Sequence, residues 1–390
     1  MLYRTRQGIV ASRHCRERFS NGDQNPVRIC VENQYPFPVR LKVIDEIPFI
    51  FQERHIGFLL TLAAGEGKSL TYELRPTRRG VYGFGQIRVF ARMGAGLLIR
   101  RYTCAEPVNV KVYPSYLMLH RFELLAMSNR LTEFGIKKIR RIGHQTEFEQ
   151  IKEYVQGDDF RTINWKASAR RHDLMVNLYQ DERSQQIYNV IDKGRVMQQA
   201  FQGMTLLDYS INASLMLSYI AIHKSDKAGL ATFNQHFDSF VPASRQTSQM
   251  ELLLENLYKQ ETTFGESDFS ALCVYLKKRI ARRSLLILYT NFDSMNALNR
   301  QIGYLAQLSK QHRLLVVFFE DNELREFIEK PVTTTEGYYQ QVIAEKFAYE
   351  KRLIVSTLMQ HGIYSVLTTP DQLTVDVVNK YLEMKSRQLI

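Results

Sequence analysis

The sequence predicts α/β plus all-β: a doubly wound sheet preceded by a small β-sandwich. Three observations carry this reading. Residues 20–115 alternate apolar and polar positions with a period of two, which buries one face of each strand. From Ile187 onward, strand and helix patterns take turns along the chain, as in a doubly wound fold. Two late strands, Ser284 to Tyr289 and Leu314 to Phe319, are continuous apolar runs, as expected where both faces of a sheet are covered.

The β region is read from Val27 to Val31, Val39 to Val43, Leu70 to Leu74, Ile87 to Ala91 and Val108 to Val112. Turn signals separate these runs: Asn21-Gly22-Asp23, Pro36-Phe37-Pro38, Gly65-Glu66-Gly67 and Gly83-Phe84-Gly85. Short strands at this spacing suit a sandwich. Residues 116–186 have weaker periodicity and hold Trp165, the only tryptophan. Then come a strand from Ile187 to Ile191 and a helix from Thr205 to Lys224, apolar nearly all round and so expected to be buried. A strand at 227–234 and helices at 248–260, 268–280 and 297–310 follow, interleaved with the two apolar strands. Helices continue to Gln360, then a strand at 364–367 and a closing helix to about Arg387. The expected division is a basic segment over 1–19, the sandwich over 20–115, a linking segment over 116–186 and the α/β domain over 187–390.

Composition narrows the function classes. Of 390 residues, 45% are hydrophobic and 24% charged, an ordinary globular balance. The net charge is +12, and residues 1–150, with 24 basic against 13 acidic side chains, carry nearly all of it. That asymmetry suits an anionic neighbour for the N-terminal part, a membrane surface or a nucleic acid, or else a solvated basic face. Cys15, Cys30, Cys104 and Cys273 are scattered, with no ligand spacing and no disulfide framework, so a reducing compartment fits. No apolar run reaches the roughly 18 residues of a membrane span, and Met1 to Phe19 has no signal-peptide core. The glycines make no phosphate-binding loop, the histidines no metal or triad grouping, and there is no nucleic-acid motif.

The most specific run is Glu147-Phe148, Tyr154, then Gly157-Asp158-Asp159-Phe160-Arg161, Ile163, Trp165-Lys166, Ser168-Ala169-Arg170, and finally Asp181-Glu182-Arg183. This run resembles the signature of the bacterial domain of unknown function 58 family. Arg79 to Gly85 and Val112-Tyr113-Pro114 resemble further features of it. The resemblance implies a von Willebrand factor A-like α/β domain after the β region. It also implies a membrane hairpin ahead of the basic start, placing the chain on the cytoplasmic face of the inner membrane. Physically, Asp158 and Asp159 with Arg161, Lys166, Arg170 and Glu182 allow three readings: acid–base chemistry, a docking surface, or a structural clamp in which Gly157-Asp158-Asp159 turns and Trp165 anchors a core. We read the segment as structural, since no nucleophile–base pair or metal ligand set accompanies the carboxylates.

The resemblance also implies a metal-ion-dependent adhesion site at the C-terminal edge of the sheet, with the pattern Asp-x-Ser-x-Ser, a later Thr and a later Asp. Here Asp192 matches, but Gly194 and Val196 stand at the serine positions, Ser267 is nearest to the threonine, and Asn291 replaces the aspartate. Asp293 stands two residues further on. With Lys193 and Arg195 beside a single carboxylate, the site reads as degenerate, and neither Mg²⁺ nor Mn²⁺ is expected. The reading is a non-enzymatic scaffold that makes a protein contact through this edge, and the resemblance implies that it works with a MoxR-type AAA ATPase on an unknown protein client. Two alternatives stay open: a hydrolase using Asp158 and Asp159, and a structural cell-envelope component.

Overall fold

The computed structural model describes residues 8–51, 56–92, 98–119, 147–155, 158, 160–171, 173–180, 184–262, 265–320, 322–329 and 334–389. They fall into two compact units. The first takes 1–127, 199–212 and 254–260, and the second takes the remainder.

The first unit is β-rich. Its strands are β1 (Ile9–His14), β2 (Arg18–Ser20), β3 (Asn25–Asn33), β4 (Val39–Asp45), β5 (Gly57–Leu62), β6 (Gly67–Leu74), β7 (Gly80–Phe84), β8 (Ile87–Arg92), β9 (Ile99–Cys104) and β10 (Val108–Tyr113). They form sheets ordered β1-β3-β6, β2-β10-β7 and β5-β4-β8-β9. The period-two pattern works as expected: Val27, Ile29 and Val31 of β3 and Val39, Leu41 and Val43 of β4 all enter one core.

The basic start needs correction. Residues 9–14 and 18–20 are strands of this unit, not a segment preceding it, and β1 pairs along its whole length with β3. Arg13 is buried: its Nε donates to Asp45 at 3.1 Å and its Nη2 to the Gly85 carbonyl at 2.9 Å. The Tyr72 hydroxyl donates to the same carboxylate, and burial together with Asp45 pushes the Tyr72 phenol up. Arg79 is also internal to this unit. Its Nε donates to Asp208 at 2.8 Å, and its terminal nitrogens donate to the carbonyls of Leu257, Tyr258 and Gln260. Tyr113 stacks on Tyr258 at 4.5 Å and donates to Glu255 at 3.0 Å. The two upstream runs that resemble family features therefore supply side chains that tie distant segments of this unit together.

The second unit begins with β11 (Glu147–Glu153), α1 (Trp165–Arg171) and β12 (Met175–Gln180), followed by β13 (Gln186–Asp192). The hairpin β14 (Ala200–Phe201) and β15 (Met204–Thr205) lies in the 199–212 segment of the first unit. After it come α2 (Leu206–His223), β16 (Lys227–Phe233), β17 (Phe237–Ser244), α3 (Gln249–Tyr258), α4 (Phe269–Arg279), β18 (Leu285–Tyr289) and α5 (Met295–Gln311). The chain closes with β19 (Arg313–Phe319), α6 (Asn322–Glu329), α7 (Thr335–Gln360), β20 (Tyr364–Thr368) and α8 (Leu373–Ser386).

The main sheet has the order β17-β16-β13-β18-β19-β20, parallel except at β17, which runs antiparallel on the edge. The antiparallel edge strand was not foreseen, because Phe237 to Ser244 does not alternate cleanly. Leu272 of α4, Leu305 of α5 and Leu358 of α7 pack with Val190, Leu288 and Val316 on one face. On the central strand, the Asn189 amide donates to Ser218 of α2 at 2.9 Å and accepts from Tyr289 at 3.1 Å, so this buried polar group is satisfied. The chain is thus a mixed α/β protein with a β-rich N-terminal region and a largely parallel sheet.

Candidate functional site

Parallel strands end together, so the C-terminal edge of the sheet collects the residues that close adjacent strands. Asp192 is the last residue of β13, Thr290 and Asn291 follow neighbouring β18, and Ser267 arrives in the loop before α4. All four belong to the second unit. Asp192 is fully buried, and its carboxylate is bonded at both oxygens. Oδ1 accepts from the Gly194 amide at 2.8 Å and from the Ser267 hydroxyl, and Oδ2 accepts from the Thr290 hydroxyl at 2.7 Å. Burial pushes the Asp192 carboxyl up, against the opposing pull of these three donors.

The other expected positions sort by contact. A Cβ on Gly194 would press on Ser267 Oγ and lie 3.3 Å from the Gly265 carbonyl, so the serine of the metal-site pattern would displace the Ser267 hydroxyl. Val196 is half-buried in the short helical turn Arg195–Met197. Lys193 and Arg195 do not pair with Asp192. Lys193 donates to Asp238 at 2.7 Å, and Arg195 meets Glu266 at 3.3 Å on the surface. Asn291 is buried, and its Oδ1 accepts from the Lys351 ammonium at 2.8 Å. The same ammonium donates to the Phe292 carbonyl at 2.6 Å and lies over the Phe318 ring. Asp293 is exposed.

Residues of this kind do not fit a divalent cation. Asp192 already bonds three protein donors, and the place of the second carboxylate holds an amide beside a fixed positive charge. Thr290 and Lys351 are the members that sequence reading missed. Thr290 sits in plain view between Tyr289 and Asn291, whereas Lys351 reaches the edge only through the fold. Beside Ser267 opens a groove of about 500 Å³ lined by Gln235, Glu266, Asp268, Phe269, Arg300 and Tyr304.

The signature segment is a second candidate, also in the second unit. Glu147 opens β11, which pairs antiparallel with β12 through a bulge between Phe148 and Gln150. Tyr154 is half-buried, and its amide donates to the Leu174 carbonyl at 2.8 Å. Asp158 accepts from Lys152 at 2.9 Å and from the Val155 amide at 3.0 Å, and these bonds hold its carboxyl below the usual range. Gly157, Asp159 and Glu182 lie outside the described residues, and Arg161 lies in the short turn Phe160–Thr162.

Trp165 corrects an expectation. It is 71% exposed and anchors no core, while Lys166 and Arg170 on the same helix are exposed too. The reason is local: α1 has only two turns and buries no side chain, and polar groups hold it. Asn164 Oδ1 accepts the Ala167 amide at 3.0 Å, an N-cap, and Asn164 Nδ2 donates to Asn177 at 2.8 Å. Ser168 Oγ accepts the Met175 amide at 2.9 Å and donates to the Asn164 carbonyl at 2.9 Å. Asn164 was overlooked, although an Asn just ahead of a helical run is a capping signal.

Comparison with known proteins bears on the signature. An uncharacterized protein, YeaD, of Bacillus subtilis (strain 168) is 25% identical over 247 residues, which are 61% of this chain and 59% of that protein. The chain therefore spans under two thirds of the length of this relative. Among solved structures, a conserved hypothetical protein BatB from Bacteroides thetaiotaomicron is 11% identical, covering 52% of this chain and all of that one with a TM-score of 0.33. The CARDB domain of the PF1109 protein from Pyrococcus furiosus is 17% identical over 27% of this chain and 86% of that one, with a TM-score of 0.21. The model of the family described as Protein of unknown function DUF58 matches residues 150–327, which take in most of the signature, Asp192, Ser267 and Asn291. Over residues 150–327 this chain is thus similar to the DUF58 family, a match that spans under half of its length.

Proposed function

We propose that this chain is a non-enzymatic scaffold that binds a protein partner through the C-terminal edge of its von Willebrand factor A-like sheet, without a metal ion. The observation that carries the reading is the Asp192 carboxylate, bonded at both oxygens by Gly194, Ser267 and Thr290. A buried carboxylate satisfied in this way organises an edge, and the roughly one lone-pair site it has left is too little for a divalent ion with no second carboxylate beside it. The adjacent groove, with Glu266, Asp268 and Arg300 at its walls, offers a partner both signs of charge around the Phe269 and Tyr304 rings. By the family resemblance, the partner is a MoxR-type AAA ATPase, which supplies the energy. By the same resemblance, the chain works at the cytoplasmic face of the inner membrane. Among the described residues no helix is long and apolar enough to cross a membrane.

The hydrolase alternative calls for carboxylates raised in a concave pocket. Asp158 instead is an ion-paired turn residue with a lowered carboxyl, which weighs against it. The exposed Trp165, Phe160 and Lys166 favour the signature as a second docking surface over a catalytic centre.

The test is co-purification with the MoxR-type ATPase, with and without EDTA. The reading expects equal recovery in both conditions and loss in a groove variant such as Arg300→Glu. Recovery only in the absence of EDTA, or no association at all, contradicts it.

A further inference from the structure

α7 is much longer than the strands it serves. Its 26 residues run antiparallel to β19 and β20, so its N-terminal end lies at the C-terminal edge of the sheet. Lys351 reaches Asn291 and Phe292 at that edge, and residues 335–350 lie upstream of it. At 1.5 Å per residue, about 24 Å of helix rises beyond this level. One side of the rising part faces α6, where Gln341 Nε2 donates to the Ile328 carbonyl at 2.8 Å and Ala344 is buried. The opposite face of α7 is open and mostly apolar: Tyr338, Tyr339, Val342, Ile343 and Tyr349 on the rising part and Leu353 just below it are exposed, Tyr339 at 72%, with Lys346 among them. A contiguous stripe of this kind is a contact surface.

Its spacing identifies the occupant. Tyr339, Val342, Lys346, Tyr349 and Leu353 follow the 3-4-3-4 spacing of a coiled-coil seam. We propose that two copies of this chain associate through it, with the exposed faces of the two α7 helices antiparallel about a two-fold axis passing between Phe347 and Ala348. In that register Val342 meets the second copy's Leu353, and Lys346 lies against its Tyr349, a cation over a ring. On the flank, Glu345 faces Arg352 and Tyr338 faces Met359. Each pairing occurs twice, as a two-fold contact requires. Glu345, Arg352 and Met359 are exposed in the single chain. At 57–72% exposure the three tyrosines offer on the order of 130 Å² each, so with the aliphatic members the stripe offers roughly 600 Å² per copy, the lower end of specific interfaces. The inference is independent of what the sheet edge binds.

Light scattering or sedimentation of the full chain over a range of concentrations tests it. A mass of twice 45.6 kDa is expected, falling to one chain in Val342→Glu. Glu345→Arg alone and Arg352→Glu alone, at exposed positions where folding is not at stake, are expected to weaken the dimer at least tenfold, and the double swap to restore it. Oxidation of mixed Val342→Cys and Leu353→Cys chains is expected to link 342 to 353, with peptide mass mapping setting aside the native cysteines. A single-chain mass at every concentration overturns the proposal, as does a dimer indifferent to Val342→Glu, a double swap that does not rescue, or a monomer that binds lipid vesicles through the stripe instead.

Discussion

Asp192 and Asp226 sit at opposite edges of one sheet, and both are buried. At the N-terminal edge, Asp226 accepts from the Gln185 amide at 3.0 Å, from the Tyr381 hydroxyl and from the Lys385 ammonium at 2.6 Å. Its charge is matched by a cation, and together they pin α8 to the start of β16. At the C-terminal edge, Asp192 has three donors and none is charged. Lysines are available nearby, yet Lys193 turns to Asp238 and Lys351 to Asn291. Equal burial therefore does not mean equal purpose: one carboxylate is a stabilising ion pair, while the other organises a rim through hydroxyls that can turn.

The largest expected effect tests that contrast. Asp226→Ala leaves a buried phenol and a partly buried ammonium without their acceptor, so a loss of about 3 kcal/mol is expected in denaturant unfolding. Asp192→Asn should lose less than about 1 kcal/mol, since hydroxyls can donate or accept. Equal losses would erase the distinction. The sign for Asp192 agrees. Its raised carboxyl contributes stability that is present below the unfolded value near 3.8 and is lost as pH rises through the folded value, so removing the charge at neutral pH relieves a strain.

Next in size is Gly194→Ser, which restores the metal-site pattern on paper. Its Cβ would press on Ser267 Oγ and the Gly265 carbonyl, so about 1–3 kcal/mol of destabilisation is expected in the same measurement, with no gain of Mg²⁺ affinity.

His312 gives a smaller, pH-dependent effect in the same unit. Burial and nearby Arg283 lower its pKa from 6.5. The unfolded chain therefore takes up a proton that the folded chain refuses, and stability falls as pH drops below 6.5 toward the folded value. His312→Phe should flatten that slope between pH 5 and 7 in thermal unfolding. The smallest stability effect belongs to Trp165→Ala, expected within about 0.5 kcal/mol because the ring is exposed. A loss of several kcal/mol would return the indole to a structural role.

Much of this was legible in the sequence, for physical reasons. The buried strands β18 and β19 announce themselves as unbroken apolar runs, and β3 and β4 as strict alternation. Asp192 and Asn291 could be placed because strand ends are short and adjacent in a parallel sheet. Three features were hidden. Arg13 reads as part of a basic, solvated stretch because its partner Asp45 lies 32 residues on. Trp165 reads as core because a lone tryptophan usually is, while the capping pair Asn164 and Ser168 that actually holds α1 is made of small polar residues. Lys351 lies mid-helix, 60 residues from Asn291, and only the packing of α7 beside the sheet brings its ammonium to the edge.

Calorimetric titration of Mg²⁺ and Mn²⁺ into the full chain tests the central claim most directly. A rim closed by Gly194, Ser267 and Thr290 predicts no binding heat at millimolar ion. Micromolar binding that disappears in Asp192→Ala would contradict it.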